Sequence, residues 1–191
     1  EGDAIVAALA DLTPQIAVGP ATQTPEPFLG PLVNAASADR AVKFEEGLIA
    51  MGGKSIVPVK RDGAFVYPGV VDVTGLSPPD EELFGPVLQI YRVTDFDHAL
   101  DVANATRFGL AGGLISDDPA LWARVKDEMR AGVLNWNRPT TGASGAMPFG
   151  GPGLSGSLRP SAYYAADYVA YPVSTQLSEK AAPIAAPGLP Q

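Results

Sequence analysis

The chain has 191 residues, 46% of them hydrophobic, and a formal net charge of -8. The length allows a domain with a buried core, and the acidic balance argues against binding to phosphate backbones. With no cysteine and one histidine, His98, disulfides, thiolate or His-rich metal sites and a thiol nucleophile are excluded for this chain.

The longest apolar stretches, such as Ile5 to Leu9, are far too short to span a bilayer. No basic segment followed by an apolar run opens the chain, so no secretory signal is expected and a cytoplasmic location is. Glu1 in place of a methionine points to a fragment or a processed chain. The 21 glycines and 19 prolines imply many turns.

Residues 2 to 12 read as a short helix with Ile5, Leu9 and Leu12 on one side. A Pro/Thr-rich loop follows, through Pro20, Pro25 and Pro27. Asn34 or Ser37 caps a longer helix that runs to Met51, with Val42, Phe44, Leu48 and Ile49 as its apolar stripe, and Gly52-Gly53 stops it. Ile56 to Val59 and Val70 to Val73 read as strands, with turn chemistry at Arg61-Asp62-Gly63 and Pro78-Pro79-Asp80.

A regular alternation comes next. Strands are expected at Val87 to Val93, Leu110 to Ile115 and Gly132 to Trp136. Between them stand helices at Asp95 to Ala105 and Asp118 to Arg130, the second with Pro119 in its first turn. Strand, helix, strand, helix, strand predicts parallel pairing with right-handed crossovers, in a sheet covered by helices. After Trp136 about twenty irregular residues follow, a length that suggests a working loop. Arg159 to Tyr168 reads as a helix, Val169 to Gln176 as a strand, and the Ala/Pro/Gly-rich end as a flexible tail.

Single motifs are weak. Gly151-Pro152-Gly153-Leu154-Ser155-Gly156 fits the spacing of a dinucleotide fingerprint, but Met147-Pro148-Phe149 before it is poor strand material, so a tight loop is the better reading. His98, beside Asp97 and Asp101, reads as an exposed helical residue, and Trp122 and Trp136 as core. Asp80-Glu81-Glu82 ahead of Leu83-Phe84-Gly85-Pro86 is a solvated turn or, alternatively, a carboxylate that accepts from sugar hydroxyls with an aromatic ring nearby.

Together the motifs are specific. Four segments occur in order: Glu81-Glu82-Leu83-Phe84-Gly85-Pro86-Val87, then Ala103-Asn104-Ala105-Thr106-Arg107-Phe108-Gly109-Leu110-Ala111, then Gly132-Val133-Leu134-Asn135-Trp136-Asn137, then Pro148-Phe149-Gly150-Gly151 with Ser155-Gly156. They resemble the C-terminal part of the aldehyde dehydrogenase superfamily. The string Arg159-Pro160-Ser161-Ala162-Tyr163-Tyr164-Ala165-Ala166-Asp167-Tyr168 resembles one branch of it, the succinylglutamic semialdehyde dehydrogenases.

The resemblance implies an α/β fold. Residues 1–168 would be the cysteine-distal part of the catalytic domain, 169–176 an oligomerisation strand and 177–191 a flexible tail. It also implies an NAD-dependent oxidation in which a cysteine thiolate attacks the aldehyde and an activated water releases the acid. The family's cysteine, its glutamate and its cofactor-binding fold precede the region seen here, so no catalytic residue carries over. Glu82 matches the family's contact to the nicotinamide ribose, Phe84 the aromatic beside it, and Phe149 the wall of the aldehyde tunnel. The loop with Arg138, Gly142, Ala143 and Ser144 would receive a carboxylate of the substrate. The partners implied are a small acidic aldehyde and further copies of the chain, with neither nucleic acid nor membrane. The alternatives are a relative with another acidic substrate, or a non-catalytic remnant or assembly module.

Overall fold

Asn34 accepts the Ser37 amide at 2.8 Å and opens the best-buried helix of the computed structural model, which describes residues 2–157, 159–180 and 187–188. A first helix, α1 (Gly2–Leu12), precedes it, and this second one, α2, spans Ala35–Ala50. Ala38, Ala41, Glu45 and Leu48 recur at helical spacing and form its buried face. The expected stripe was shifted: Ile49 is 45% exposed, while two alanines let the helix approach the strands closely.

Four short strands follow: β1 (Lys54–Val57), β2 (Lys60–Asp62), β3 (Phe65–Tyr67) and β4 (Gly69–Asp72). β1 pairs antiparallel with β4, and β2 with β3. The sequence predicts only a turn where the β2–β3 hairpin forms, because all of β2 is exposed and carries charged side chains with no apolar alternation. β5 (Val87–Ile90) adds to β4 in parallel, giving the order β1-β4-β5. Leu48, Val71 and Val73 pack in one cluster, and Ala38, Ala41, Val59 and Val66 in another. Glu45 is buried between them, its carboxylate accepting from the Ser55 hydroxyl at 2.8 Å and the Val59 amide at 2.8 Å.

Helix α3 (Phe96–Asn104) is capped by Asp95, and β6 (Ala111–Leu114), α4 (Pro119–Glu128) and β7 (Val133–Trp136) follow as expected. β6 and β7 pair in parallel, with α4 packed against both. The α/β class with parallel pairing holds. The expected single sheet through β5, β6 and β7 does not: β5 pairs with β4 and β6 with β7, in separate sheets. Trp122 stacks on Trp136 at 5.6 Å, and the Trp136 indole donates to the Ser116 carbonyl at 2.7 Å, as packing residues do.

The C-terminal stretch departs further from expectation. In place of a helix from Arg159, β9 (Ser161–Ala162) pairs with β8 (Pro148–Phe149), and a single turn, α5 (Ala165–Tyr168), remains. Ala162 at φ 58 breaks any helix there. Val169–Gln176 forms no strand in the single chain. Of the expected tail, residues 181–186 and 189–191 lie outside the described residues. Among the described residues no helix is long and apolar enough to cross a membrane.

Candidate functional site

Three turns converge at one corner of the molecule. The first precedes β5. In it the Asp80 carboxylate accepts from the Thr106 hydroxyl and the Arg107 amide, both at 2.7 Å, and from Arg107 Nε at 3.3 Å. Arg107 also donates to the Asp80 carbonyl at 2.6 Å. The second turn, between α3 and β6, is thereby clamped to the first. The Thr106 hydroxyl and then the Arg107 amide hold the Asp80 carboxyl below its ordinary value, because both bonds favour the charged form. Arg130 donates to the Thr106 carbonyl at 2.5 Å, and the Arg130 amide to Asn104 at 2.7 Å, so the end of α4 braces the same turn.

The third turn is the glycine-rich loop after β8. The Leu154 amide donates to the Arg107 carbonyl at 2.8 Å, and the Gly109 amide to the Ser155 hydroxyl at 3.0 Å. Gly151 lies against the Gly109 carbonyl so closely that a methyl group there would overlap it, and Gly153, at φ 62, lies against the Arg107 carbonyl in the same way. These glycines serve close backbone packing rather than a phosphate. The tight-loop reading of this motif holds.

Leu83 packs into the core beside Ala38 and Ala41, while its neighbours Glu82 and Phe84 point outward. Phe84 has φ 54 and is 75% exposed. Glu82 lines a cleft of about 660 Å³ together with Glu81, Thr106, Phe108, Met129 and Leu154. Of the cofactor and substrate contacts that the resemblance implies, Glu82 lines this cleft, and Phe84, Phe149, Arg138, Gly142, Ala143 and Ser144 do not. Phe149 sits on β8, its carbonyl accepting from the Ser161 hydroxyl at 3.0 Å. Arg138, Gly142, Ala143 and Ser144 lie on an exposed loop, where Gly142 has φ 88 and Ser144 closes a small turn onto the Ala146 and Met147 amides. A larger cavity, about 1130 Å³, lies by Arg159, Asp167, Tyr168 and Tyr171 and includes none of the three turns. His98 is exposed on α3, near the Thr94 hydroxyl at 3.3 Å. Sequence reasoning missed the clamp itself: nothing in the spacing of Asp80, Thr106 and Arg107 shows that residues 26 and 27 apart meet.

Residues 2–172 match the aldehyde dehydrogenase family. The chain belongs to that family. It is 51% identical over 177 residues to N-succinylglutamate 5-semialdehyde dehydrogenase of Chromobacterium violaceum, covering 91% of this chain and 36% of that protein. It is 53% identical over 180 residues to N-succinylglutamate 5-semialdehyde dehydrogenase 2 of Caulobacter vibrioides, with the same shares. Among solved structures, aldehyde dehydrogenase 21 of Physcomitrella patens, in complex with the reaction product succinate, superposes with a TM-score of 0.79 at 26% identity. That likeness covers 87% of this chain and 35% of that chain.

This aldehyde dehydrogenase chain therefore spans about 36% of the length of the curated relatives it matches, in their C-terminal part. Apolar side chains along the separated strands are correspondingly open. Leu88 on β5 is 46% exposed, and Leu110, just before β6, is 39% exposed. Strands paired in parallel are normally covered on both faces.

Proposed function

We propose that the chain is part of an NAD-dependent dehydrogenase that oxidises an acidic semialdehyde, N-succinylglutamate 5-semialdehyde, to N-succinylglutamate in arginine breakdown. The catalytic thiol and the cofactor-binding fold belong to the rest of that protein, and the chain alone is inactive because it has no cysteine. The observation that carries this reading is the Glu82–Phe84 turn, anchored through Leu83 and set beside the cleft. The names of the relatives at 51% and 53% identity support the substrate.

The side chains suit a nicotinamide dinucleotide. The Glu82 carboxylate is an acceptor for ribose hydroxyls, and the open Phe84 ring offers a flat apolar face to a planar group. When bound, the nicotinamide supplies the hydride acceptor. Phe149 walls the aldehyde's path. Arg138, the Ser144 hydroxyl and the amides of Gly142 and Ala143 receive the carboxylate at the far end of the substrate. Val169–Gln176 pairs with another subunit, which would cover Tyr171 and Val173, now 89% and 78% exposed. A second reading, a non-catalytic remnant or assembly module, is favoured by the absent cysteine.

The test is aldehyde-dependent NADH formation with N-succinylglutamate 5-semialdehyde. The complete protein should turn over and the isolated chain should not. In the complete enzyme, Arg138→Ala combined with Ser144→Ala should raise KM for the aldehyde. No turnover by the complete protein would favour the remnant reading, and turnover by the pure chain would overturn the proposed division of labour.

A further inference from the structure

We infer that Asp80 is a positioning residue, whose carboxylate, through Thr106 and Arg107, holds the turn that presents Glu82 and Phe84. The inference rests on the cofactor-binding reading of Glu82 and extends it to a residue outside the contact itself.

The turn is held at three points. At its start Asp80 is clamped by the Thr106 hydroxyl at 2.7 Å and by two donors of Arg107. In its middle Leu83 is packed against the cluster of Ala38, Ala41, Val59 and Val66. At its end the Pro86 carbonyl accepts the Gly69 amide at 3.0 Å, and Val87 enters the ladder with β4. Between the last two points Phe84 adopts φ 54, a left-handed conformation that a bulky aromatic rarely takes. Such a residue persists only where its surroundings over-determine it.

The last two points fix only one side of Glu82. Without the Asp80 carboxylate only the bond from Arg107 to the Asp80 carbonyl, at 2.6 Å, would hold the chain from Pro78 to Glu82, and the Glu82 carboxylate would gain freedom to move with it. Pinning it beforehand removes the ordering that cofactor binding would otherwise require. Arg107 is held in turn: its carbonyl accepts the Leu154 amide at 2.8 Å, and Arg130 braces Thr106. The clamp therefore ties Glu82 to the glycine-rich loop that follows Phe149.

Asp80→Asn keeps the size of the side chain but removes its charge and one of the two acceptor oxygens, so the Thr106 hydroxyl and the Arg107 donors can no longer both be accepted by a carboxylate. In the complete enzyme this variant should raise KM for NAD about tenfold while kcat and KM for the aldehyde stay within about twofold, as expected when a contact group is displaced by a fraction of an ångström. Hydrogen exchange should quicken at the amides of residues 81–85 and at Arg107, and stay unchanged in α2 and β4. Thr106→Val removes a single bond of the clamp, should shift KM for NAD in the same direction by less, and decides the matter if Asp80→Asn does not fold. Glu82→Gln is the reference. If it raises KM for NAD and the clamp variants do not, the inference is overturned while the reading of Glu82 stands. If Glu82→Gln itself leaves KM for NAD unchanged, the reading of Glu82 fails and the inference falls with it. Equal losses in kcat and in both KM values would mark Asp80 as a merely structural residue and overturn the inference too.

Discussion

The two halves of the chain use the same apolar residue types to different ends. In the first, α2 lies on β1 and β4, and Ala38, Ala41, Leu48, Val71 and Val73 are at most 2% exposed. In the second, Ile115, Val169, Tyr171 and Leu177 are between 79% and 91% exposed. The first half closes most of the core by itself, although Phe28 and Val33 stay open there at 81% and 88%. The second carries apolar surface that a larger assembly would have to cover, as open patches of this kind usually signify. The comparison separates what this polypeptide stabilises alone from what it contributes to a whole enzyme.

The largest expected effect tests that contrast directly. Leu48 is 2% exposed in the cluster with Val71 and Val73. Leu48→Ala should destabilise the isolated chain by about 2–5 kcal/mol, through lost transfer energy and the cavity left behind. Tyr171→Ala, at a residue 89% exposed, should change stability by no more than about 0.5 kcal/mol. Urea unfolding followed by far-UV circular dichroism measures both. A comparable loss for Tyr171→Ala would mean that the C-terminal segment is part of the folded core, and the contrast would dissolve.

A smaller effect asks how the first half tolerates a buried carboxylate. Glu45 is 6% exposed and receives the Ser55 hydroxyl and the Val59 amide. Glu45→Ala strands the Val59 amide without its partner, and should lower stability by about 1–3 kcal/mol. The same unfolding measurement applies. An unchanged midpoint would show that water replaces the carboxylate, and that this core is more open than its packing implies.

How much of this was legible in the sequence differs between the halves for physical reasons. Local signals worked where a helix carried its own punctuation: Asn34 caps α2, Asp95 caps α3, and Pro119 stands in the first turn of α4. They failed where structure depends on partners remote in sequence. β2 is charged and exposed, so its pairing leaves no pattern. β8 and β9 are two residues each, and their pairing prevailed over the helical look of the stretch after Arg159. The expectation of one continuous sheet failed because alternation predicts parallel strands but not which strands are neighbours. At the candidate site, Glu82, Phe84 and Phe149 stood out through resemblance, whereas the clamp by Asp80 became visible only in three dimensions.

The smallest effect concerns the caps, which differ in chemistry between the halves. α2 is capped by Asn34, a neutral side chain that accepts from the Ser37 amide and does not titrate in this range. α3 is capped by Asp95, which accepts from the His98 amide at 2.8 Å and the Thr94 hydroxyl at 2.9 Å. The His98 amide first, and then the Thr94 hydroxyl, hold the Asp95 carboxyl below the ordinary aspartate value of 3.8. The folded chain thus binds this proton less tightly than the unfolded chain does. The cap's contribution is full above that ordinary value and is lost as pH falls through the lower, folded one. Protection factors from hydrogen exchange, followed from about pH 5 to about pH 2, should fall in the first turn of α3 before they fall in the first turn of α2. Asp95→Asn, which caps without a charge, should bring the two helices into step. Simultaneous loss in both helices of the unaltered chain would show that acid unfolds the two halves as one cooperative unit, so that their unequal burial creates no unequal stability.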